Sequence, residues 1–272
     1  MMDAVVVKAG GRALLRNMRG ILEDVARVAR ERPVVLVHGG GDVVTEYSRR
    51  LGIEPRFVVS PSGVRSRYTS KEELEVFVMV MAGKINKEVV ATLNALGATA
   101  IGLSGVDASL LKAVRKKRII IVDERGRKRV IEGGYTGKIT EVNTEVLALI
   151  FSKGLARVVA VAPLALSEEG EMLNVDADQA ATALAKALKV EELVLLTDVD
   201  AVYVDGTPVR EVVVDEVPAL IKKVGFGMNR KLIMAAEAIK ARVGKVIIAP
   251  GTTEAPLTSA LQGKAGTTIK GC

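Results

Sequence analysis

Two glycine-rich segments follow apolar stretches near the start of the chain. The first ends in Lys8-Ala9-Gly10-Gly11, and the second ends in His38-Gly39-Gly40-Gly41-Asp42. Glycine backbone that follows a strand and opens a helix can approach an anion closely, and the positive end of the helix dipole favours negative charge. Each run could instead be a tight turn that needs positive φ. Because the arrangement occurs twice and the first copy contributes a lysine, the two segments together predict a phosphate bound from several sides.

Three charged side chains are candidates for chemistry at that phosphate. Lys8 lies inside an apolar strand, where an unpaired ammonium group is costly. The alternatives for it are a structural ion pair with a carboxylate or a catalytic role, which its glycine neighbours favour. Asp178 opens an alanine-rich helix, where it is either the N-cap or a functional carboxylate. Lys231 ends the glycine-rich stretch 225–231 and, taken alone, is typical of a surface lysine.

Other candidate roles fall to His38, Arg65 and Arg67. His38 is the only histidine and Cys272 the only cysteine, so the sequence offers His38 no histidine or cysteine partner for a metal ion. We therefore expect structural hydrogen bonding by His38 and no metal site. The sequence predicts a turn at 61–63 and places Arg65 and Arg67 in a turn after Gly63. Both arginines suit the bidentate binding of a carboxylate, with solvent exposure as the alternative for each. The sequence does not distinguish between the two arginines.

The segments that must position these residues alternate between strand and helix. Apolar runs predict buried strands, and amphipathic runs with caps predict helices. Besides strands in the two glycine-rich segments, the predicted strands are 56–60, 100–103, 158–162, 164–166, 193–197, 201–204, 246–249 and 267–269, and the predicted helices are 17–32, 43–51, 71–96, 143–153, 178–188, 217–224 and 231–242. Such alternation implies a largely parallel sheet covered by helices on both faces.

Composition and motifs argue against several classes of protein. The chain has 272 residues, 49% hydrophobic and 3% aromatic, so aliphatic side chains must fill the core. No apolar run approaches the ~20 residues that span a bilayer, and the N-terminus lacks a signal-peptide pattern, so we expect a cytoplasmic protein without a membrane partner. No G-x-G-x-x-G follows a strand, which disfavours a dinucleotide-binding dehydrogenase. The glycine-rich loop 133–138 is one residue short of the P-loop spacing and is followed by Ile139 instead of a hydroxyl residue, so it predicts a turn.

The net charge of +7 is concentrated in the segment 112–129. This segment predicts an exposed hairpin of strands 119–122 and 128–131, and it contains only Asp123 and Glu124 as acidic residues. Its basic residues are Lys112, Arg115, Lys116, Lys117, Arg118, Arg125, Arg127, Lys128 and Arg129. Charge this localised favours an acidic partner, with a solvated hairpin as the alternative. A nucleic-acid-binding surface is a remote alternative, because the segment lacks aromatic residues that stack on bases.

Five ordered motifs across nearly the whole chain resemble the amino acid kinase family. They are Lys8 with Gly10-Gly11, His38-Gly39-Gly40-Gly41, Asn174-Val175-Asp176-Ala177-Asp178, Leu196-Thr197-Asp198-Val199, and Gly227-Met228 followed by Lys231. Their order and spacing are closest to the N-acetylglutamate kinase branch. The stretches 60–69, 102–107 and 131–138 resemble those members that act on aminoadipate or glutamate attached to a small acidic amino-group carrier protein, LysW.

The resemblance implies a fold and a reaction. The expected fold is a three-layer αβα sandwich around a largely parallel open sheet. An N-terminal lobe, 1–175, would serve substrate binding and dimerisation, and a C-terminal lobe, 176–272, would bind ATP on the same continuous sheet. The expected reaction transfers the γ-phosphoryl group of ATP to the side-chain carboxylate of the carrier-linked amino acid, giving an acyl phosphate. Free N-acetylglutamate is the alternative acceptor, and Mg²⁺ would be held through the ATP phosphates.

The resemblance also implies roles for particular residues. Lys8 and Lys231 would neutralise the transferring phosphoryl group, and Asp178 would orient both lysines. The other implied roles are substrate binding for Gly40, Gly41, Arg67 and Asn174, ATP binding for Gly10, Gly11, Asp198, Val199 and Tyr203, and carrier docking for Lys116, Lys117, Arg127 and Lys128. The four glycines would bind through their backbone N–H groups. A homodimer formed through the 71–96 helix is implied as well.

Overall fold

The computed structural model describes residues 3–61, 63 and 65–271. Its helices are α1 (Gly11–Val28), α2 (Gly41–Arg50), α3 (Lys71–Val78), α4 (Asn86–Ala95), α5 (Thr144–Ser152), α6 (Ala177–Leu188), α7 (Val217–Leu220), α8 (Phe226–Lys240) and α9 (Pro256–Leu261), with a π-helix (Met79–Ile85) joining α3 to α4. Its strands are β1 (Val5–Ala9), β2 (Val34–His38), β3 (Arg56–Val59), β4 (Arg65–Tyr68), β5 (Ala100–Ser104), β6 (Leu111–Arg115), β7 (Arg118–Val122), β8 (Lys128–Glu132), β9 (Gly137–Val142), β10 (Val158–Ala162), β11 (Leu164–Leu166), β12 (Met172–Asn174), β13 (Glu192–Thr197), β14 (Val202–Val204), β15 (Thr207–Val209), β16 (Glu211–Val213), β17 (Lys245–Pro250) and β18 (Thr267–Lys270). The predicted turn at 61–63 includes Ser62, which lies outside the described residues.

Eight strands form the main sheet, in the order β16-β18-β17-β13-β1-β2-β10-β5. Neighbouring strands are parallel except for β17 and β18, which are antiparallel. β1 lies centrally between β13 and β2, and all five of its residues are buried. An apolar run of this kind is typical of a parallel strand covered on both faces, as the sequence predicts.

Helices cover both faces of the main sheet. Val5, Val7 and Ala9 of β1 share one hydrophobic cluster with residues of α1 to α4 and α9, whereas Val6 belongs to a second cluster with residues of α5, α6 and α8. Because side chains alternate along a strand, Lys8 lies on the same face as Val6 and points into the layer of α6 and α8. The predicted three-layer αβα fold is confirmed.

Both predicted lobes contribute strands to the main sheet. Residues before position 176 supply β1, β2, β5 and β10, and residues after it supply β13, β16, β17 and β18. The two sets meet where β1 pairs with β13. The division of labour between the lobes stays a prediction. Within the described residues, no helix is both long and apolar enough to cross a bilayer.

Smaller sheets stand beside the main one. A four-stranded sheet has the order β12-β11-β6-β9, and hairpins pair β3 with β4, β7 with β8, and β14 with β15. The β7–β8 pair, here called the basic hairpin, confirms the hairpin expected at 119–122 and 128–131. β3 and β7 are in contact, so the β3–β4 hairpin lies beside the basic hairpin. The sequence analysis misses β4, β6, β9, β12, β15, β16 and α9, which are short or have a mixed burial pattern without a clear apolar period. The turn predicted at Arg65 and Arg67 is wrong, because both residues lie on β4 and pair with β3.

Several helix boundaries differ from the prediction. The expected start at Asn17 is wrong, because α1 begins at Gly11 and Asn17 interrupts it with φ −145° and ψ 42°. The Asn17 side-chain amide donates instead to Gly251 O and Thr253 O, at 3.1 and 3.0 Å. The helix expected at 217–224 ends at Leu220, and α8 includes part of the glycine-rich stretch before Lys231.

The helix predicted at 71–96 is continuous but not uniform. Its N-cap is Ser70, whose hydroxyl oxygen accepts a hydrogen bond from Glu73 N at 3.2 Å. The sequence predicts a capping box, in which the Glu73 side chain would return to Ser70. Glu73 pairs with Arg67 instead. The π-helix in the middle of the segment is a feature that the sequence pattern does not reveal.

Candidate active site

Lys8, Asp178 and Lys231 meet at the carboxyl end of the central strands. Lys8 lies near the end of β1, Asp178 in the first turn of α6, and Lys231 in α8. Lys8 Nζ lies 2.8 Å from Asp178 Oδ1, and Lys231 Nζ donates to Asp178 Oδ2. The three side chains are between 11% and 15% exposed. The structure thus brings the predicted catalytic residues together, and we call them the Lys–Asp–Lys cluster.

The members of this cluster change one another's ionisation. Burial opposes the charge on Asp178, but the two ammonium groups lower the pKa of its carboxyl well below the usual range. Burial also opposes the charge on Lys8, and the Asp178 carboxylate outweighs it, so the pKa of Lys8 is raised. Burial and the charge of Lys8 lower the pKa of Lys231 despite the carboxylate. Two cations around one anion leave a net positive charge, which favours the binding of a further anion.

The expected N-cap role of Asp178 is wrong. The N-cap of α6 is Asp176, whose Oδ1 accepts a hydrogen bond from Gln179 N at 3.1 Å. Asp178 is therefore in the helix itself, and its carboxylate is available to the two lysines. An acidic residue in the first turn also suits the positive end of the α6 dipole.

The two glycine runs pack backbone against backbone beside the cluster. A Cβ at Gly11 would lie 2.8 Å from Gly40 N, and a Cβ at Gly39 would lie 2.6 Å from Gly11 N. A side chain at either position would force the runs apart. No side chain caps α1 or α2, whose first-turn N–H groups begin at these runs. N–H groups of this kind suit an anion, and the phosphate site that the sequence predicts here stays a prediction.

Gly10 and Gly41 contribute differently from the other glycines. The N–H of Gly10 donates to Leu196 O at 2.9 Å, so the expected contact of this N–H with ATP is corrected. The lack of a side chain matters there for space, since a Cβ would lie 3.4 Å from Lys8 Nζ. The Cβ position of Gly41 has nothing within 4 Å, so packing does not require a glycine at position 41.

The two candidate arginines have different surroundings. The Arg67 side chain is 8% exposed and pairs with Glu73, a buried residue that the sequence analysis does not single out as functional. Arg67 Nη2 also donates to Gly41 O at 2.8 Å and to Thr45 Oγ1 at 2.6 Å. Arg65 is exposed. Arg67 is therefore fixed in place, whereas Arg65 is accessible.

Three adjoining cavities form a groove past the Lys–Asp–Lys cluster. The inner cavity measures about 380 Å³, and its lining includes Lys8, Gly40, Gly41, Arg67 and Asn174. The middle cavity measures about 490 Å³, and its lining includes Asp178, Lys231, Asp198 and Val199. The outer cavity measures about 410 Å³, and its lining includes Asp198, Val199 and Tyr203. Because neighbouring cavities share lining residues, the predicted substrate and ATP residues lie along one path, except Gly10, which lines none of the three cavities. Gly11, predicted to bind ATP, lines the inner cavity.

Polar side chains at strand ends line this groove. Asn174 ends β12, and its Nδ2 donates to Thr69 Oγ1 at 2.9 Å. Asp198 directly follows β13; burial opposes its charge, but its backbone N–H and the Thr197 hydroxyl lower the pKa of its carboxyl. Tyr203 on β14 is 45% exposed. The placement of Asp198 agrees with the rule that ligands bind at the carboxyl ends of parallel strands, since β13 is parallel to both of its neighbours.

The predicted docking residues do not all lie on the outer face of the basic hairpin. Lys116 stands at its base and lines the inner cavity. Partial burial and the nearby charges of Arg230 and Lys138 lower the pKa of Lys116, although the residue as a whole is exposed. Lys117 and Lys128 are exposed as well. Arg127 is 54% exposed and pairs with Asp123. The basic hairpin thus rises from the rim of the inner cavity.

His38 serves the structure below the second glycine run. It is fully buried, and burial lowers its pKa to about 4. Its Nδ1 lies 3.3 Å from Gly39 O, and its Nε2 lies 3.3 Å from Asn86 Nδ2. A neutral ring that donates from Nδ1 and accepts at Nε2 satisfies both contacts. The prediction of structural hydrogen bonding for His38 is confirmed.

Two arginines near the groove are absent from the predicted set: Arg12, which pairs with Asp198 of the lining, and Arg230, which is part of the lining. Arg12 in the first turn of α1 lies 3.3 Å from Asp42 Oδ2 and 3.6 Å from Asp198 Oδ2. Arg230 lines both the inner and the middle cavity. Its position directly before Lys231 is the signal by which sequence reasoning could have found it.

Comparison with known proteins gives matches over nearly the whole length. The amino acid kinase family model matches residues 3–250. A LysW-aminoadipate/LysW-glutamate kinase of Saccharolobus islandicus (strain L.S.2.15) is 52% identical over 259 residues, 95% of this chain and 96% of the relative. A protein of the same name from Sulfolobus acidocaldarius is 51% identical over 267 residues, 98% of this chain and 100% of the relative. A crystal structure of a Streptococcus mutans UA159 protein matches with a TM-score of 0.79 and 25% identity, covering 100% of both chains.

These similarities agree with the arrangement of the groove. The five motifs that resemble the family are separated in sequence, and the structure places parts of all five along the three cavities. The family match over residues 3–250 includes all three members of the Lys–Asp–Lys cluster and both glycine runs. The chain is a phosphotransferase of the amino acid kinase family.

Proposed function

We propose that the chain transfers the γ-phosphoryl group of ATP to the side-chain carboxylate of 2-aminoadipate or glutamate linked to a LysW-like carrier protein. The product would be an acyl phosphate on the carrier. Relatives about half identical over nearly the full chain bear a name with this meaning. The observation that carries the proposal is the position of the Lys–Asp–Lys cluster between the inner and middle cavities, with the basic hairpin at the rim.

The cluster suits a transfer in which two anions must approach each other. A carboxylate oxygen forms a bond to the γ-phosphorus, while the bond from that phosphorus to the bridging oxygen breaks and its electron pair leaves on ADP. No proton has to move, so the protein contributes mainly positioning and charge. Lys8 and Lys231 would neutralise the phosphoryl group. Asp178 contacts each ammonium group with a different oxygen and so fixes the distance between them.

The middle and outer cavities fit ATP. The phosphates would lie near Lys231 and the start of α8, which has no side-chain cap. The nucleoside would lie beside Val199 and Tyr203 in the outer cavity. Among the described residues there is no group of three or more His, Cys, Asp or Glu side chains that could bind a metal. The residues therefore fit a Mg²⁺ ion held chiefly by the ATP phosphates, whose charge it would neutralise.

The inner cavity fits the amino acid acceptor. A guanidinium group has five N–H donors, and the contacts of Arg67 with Glu73, Gly41 and Thr45 leave some of them for a substrate α-carboxylate. Because these contacts already fix Arg67, little side-chain entropy is lost on binding. Asn174 would bind the acylated amino end, which points toward the carrier.

The basic hairpin fits an acidic carrier that stays outside the groove. Lys117, Arg127 and Lys128 present positive charge at the entrance, and opposite charge steers docking. Ile120 and Val130 lie opposite each other in the hairpin and are 52% and 64% exposed. An apolar pair within a charged surface is typical of a protein interface.

The helical segment of α3, the π-helix and α4 fits a homodimer contact. Met79 is 56% exposed on the π-helix, and the Cβ position of Gly83 one turn later opens to solvent. A long apolar side chain next to a glycine suits close helix packing. We expect sedimentation of the wild type as a dimer and of Met79→Glu as a monomer. A wild-type monomer at all concentrations would contradict this part of the proposal.

Trapping of the acyl phosphate with hydroxylamine tests the proposed reaction. The acceptors are carrier-linked aminoadipate, carrier-linked glutamate, free N-acetylglutamate and free aminoadipate, each with ATP and Mg²⁺. We expect product with at least one carrier-linked acceptor and far less with the free ones. Preference for free N-acetylglutamate would contradict carrier dependence and indicate an acetylglutamate kinase. Lys8→Met, prepared in the same way, controls for contaminating kinases.

A further inference from the structure

Three side chains line both the inner and the middle cavity: Asp178, Arg65 and Arg230. Asp178 is engaged by the two lysines of the cluster. The passage between the cavities, where acceptor and ATP have to meet, is therefore flanked by two guanidinium groups. Arg65 comes from β4 and Arg230 from α8, so the two groups reach the passage from different elements.

Arg230 is held in the structure by a weak contact. Its Nη2 lies 3.2 Å from Asp176 Oδ1, and their side chains are 35% and 41% exposed. The same oxygen accepts the capping hydrogen bond from Gln179 N. Ion pairs that are this exposed contribute little, because water screens them. The guanidinium group can therefore exchange a shared carboxylate oxygen for the oxygens of a phosphoryl group.

The surroundings of Arg230 also favour an anion. The charge of Arg230 is one of the causes, after burial, that lower the pKa of Lys116, which also lines the inner cavity. Lys138 acts on Lys116 in the same direction, and Asp176 acts against both. Cations that repel one another across a cavity are stabilised by a negatively charged ligand between them.

We propose that Arg230 is a further catalytic residue, which contacts the γ-phosphoryl group in transfer. The inference rests on the proposed phosphoryl transfer. As the carboxylate oxygen bonds to phosphorus and the bridging oxygen leaves on ADP, negative charge is spread over the three remaining phosphoryl oxygens. A planar guanidinium group binds two such oxygens at once through two parallel N–H···O bonds, a geometry that the ammonium groups of Lys8 and Lys231 do not offer.

Variants of Arg230 test this role. We expect Arg230→Gln to lower kcat about 10- to 100-fold on every acceptor that the wild type uses, with the acceptor KM changed less than about threefold. Arg230→Lys keeps the positive charge but lacks the planar guanidinium group, so it should recover only part of the lost kcat. Lys240→Gln, an exposed substitution at the other end of α8, is the matched control and should leave kcat unchanged.

If Arg230 served only to stabilise the start of α6, the results would be different. In that case Arg230→Gln and Asp176→Asn would lower the melting temperature equally, and Arg230→Gln would keep a kcat within about twofold of the wild type. That outcome would overturn the proposal.

Addition of tetrafluoroaluminate to ADP, without acceptor, gives a second readout. We expect tighter ADP binding in the wild type and loss of most of this gain in Arg230→Gln. An equal gain in both would also overturn it. If the wild type phosphorylates no carrier-linked acceptor, the proposed function fails, and this binding measurement still decides the role of Arg230.

Discussion

The Lys–Asp–Lys cluster and the basic hairpin are both cationic, but they hold their charge in opposite ways. In the cluster, two lysines share one carboxylate and all three side chains are at most 15% exposed. In the basic hairpin, Arg127 and Arg129 share Asp123, yet the two arginines are 54% and 57% exposed. The same pattern of two cations on one anion is thus built once inside the protein and once at its surface.

This difference suits the Lys–Asp–Lys cluster to the chemical step and the basic hairpin to association with the carrier. Charges removed from water interact strongly at short range, and loss of one partner leaves the others uncompensated. Charges in water are screened within about 8–10 Å by salt, so they act mainly on the approach of a partner. We expect substitutions in the cluster to change the chemical step and folding. Substitutions in the basic hairpin should change association with the carrier and leave folding almost unaffected.

The largest effect is expected for Asp178→Asn. This change leaves two ammonium groups with no carboxylate in a largely buried position, which should cost about 3–5 kcal/mol of unfolding free energy. Urea unfolding measures it. Glu211→Gln, which breaks the exposed pair with Lys270, is the matched control and should cost less than about 1 kcal/mol. Equal costs for both variants would show that burial does not distinguish the two kinds of ion pair.

The burial of His38 predicts that the free energy of unfolding depends on pH. Its pKa is lowered to about 4 by burial, whereas an unfolded histidine titrates near 6.5. The unfolded state therefore binds more protons between these values, and His38 lowers the unfolding free energy by about 3 kcal/mol as the pH falls from 6.5 to 4. Urea unfolding of the wild type and His38→Asn across this range measures it. A slope that is unchanged in the variant would contradict the assignment.

Glu73→Gln should act on acceptor binding more than on turnover. The substitution removes the charge that fixes Arg67, so we expect the acceptor KM to rise about tenfold and kcat to change less than about threefold. Steady-state kinetics with the carrier-linked acceptor measures both constants. Glu72→Gln, next to it on the exposed side of α3, is the control. A lower kcat with an unchanged KM would mean that Arg67 does not hold the acceptor in the ground state.

The smallest change in stability is expected from reversing the exposed charges of the basic hairpin. Lys117→Glu, Arg127→Glu and Lys128→Glu, combined, should lower kcat/KM for the carrier-linked acceptor about tenfold at low salt, and less at high salt. ATP affinity should stay the same. Lys116 is left unchanged because it lines the inner cavity.

The control for this triple variant carries equal charge changes elsewhere. Lys153→Glu, Lys240→Glu and Lys264→Glu alter exposed lysines that line none of the three cavities. We expect wild-type kinetics with the carrier from this variant. A similar loss in both triple variants would show that only the total charge matters and that the basic hairpin is not the docking surface.

The sequence predicts those features of the structure that neighbouring residues determine, and it misses those that depend on distant ones. The ends of β1 and β2 could be found because their signals are local: an apolar run is followed directly by glycines. The basic hairpin could be found because its charge and turn residues are contiguous. The pairing of Glu73 with Arg67 could not, because the local pattern around Ser70 favours a capping box and only the packing of β4 against α3 brings the arginine there. The interruption of α1 at Asn17 could not be predicted for the same reason, because its partners Gly251 and Thr253 come from the far end of the chain.

The site shows the same limit. Lys8 and Lys231 stand 223 positions apart by their numbers (231 − 8), and only the resemblance to a family connected them before the structure did. Arg230 directly precedes Lys231, yet nothing in the sequence shows that it lines two cavities. The expected N–H donor at Gly10 failed because the strand register, which pairs β1 with β13, directs that group to Leu196.

The central claim is that Lys8, Asp178 and Lys231 act as one unit on a phosphoryl group. The most direct test is kcat for acyl phosphate formation by Lys8→Met, Lys231→Met and the double variant at saturating ATP. We predict that each single variant loses at least about 100-fold in kcat and that the double variant is no more than about tenfold slower than the slower single one, as for residues that work together. Two independent losses that multiply in the double variant, or a single variant with nearly wild-type kcat, would contradict the claim.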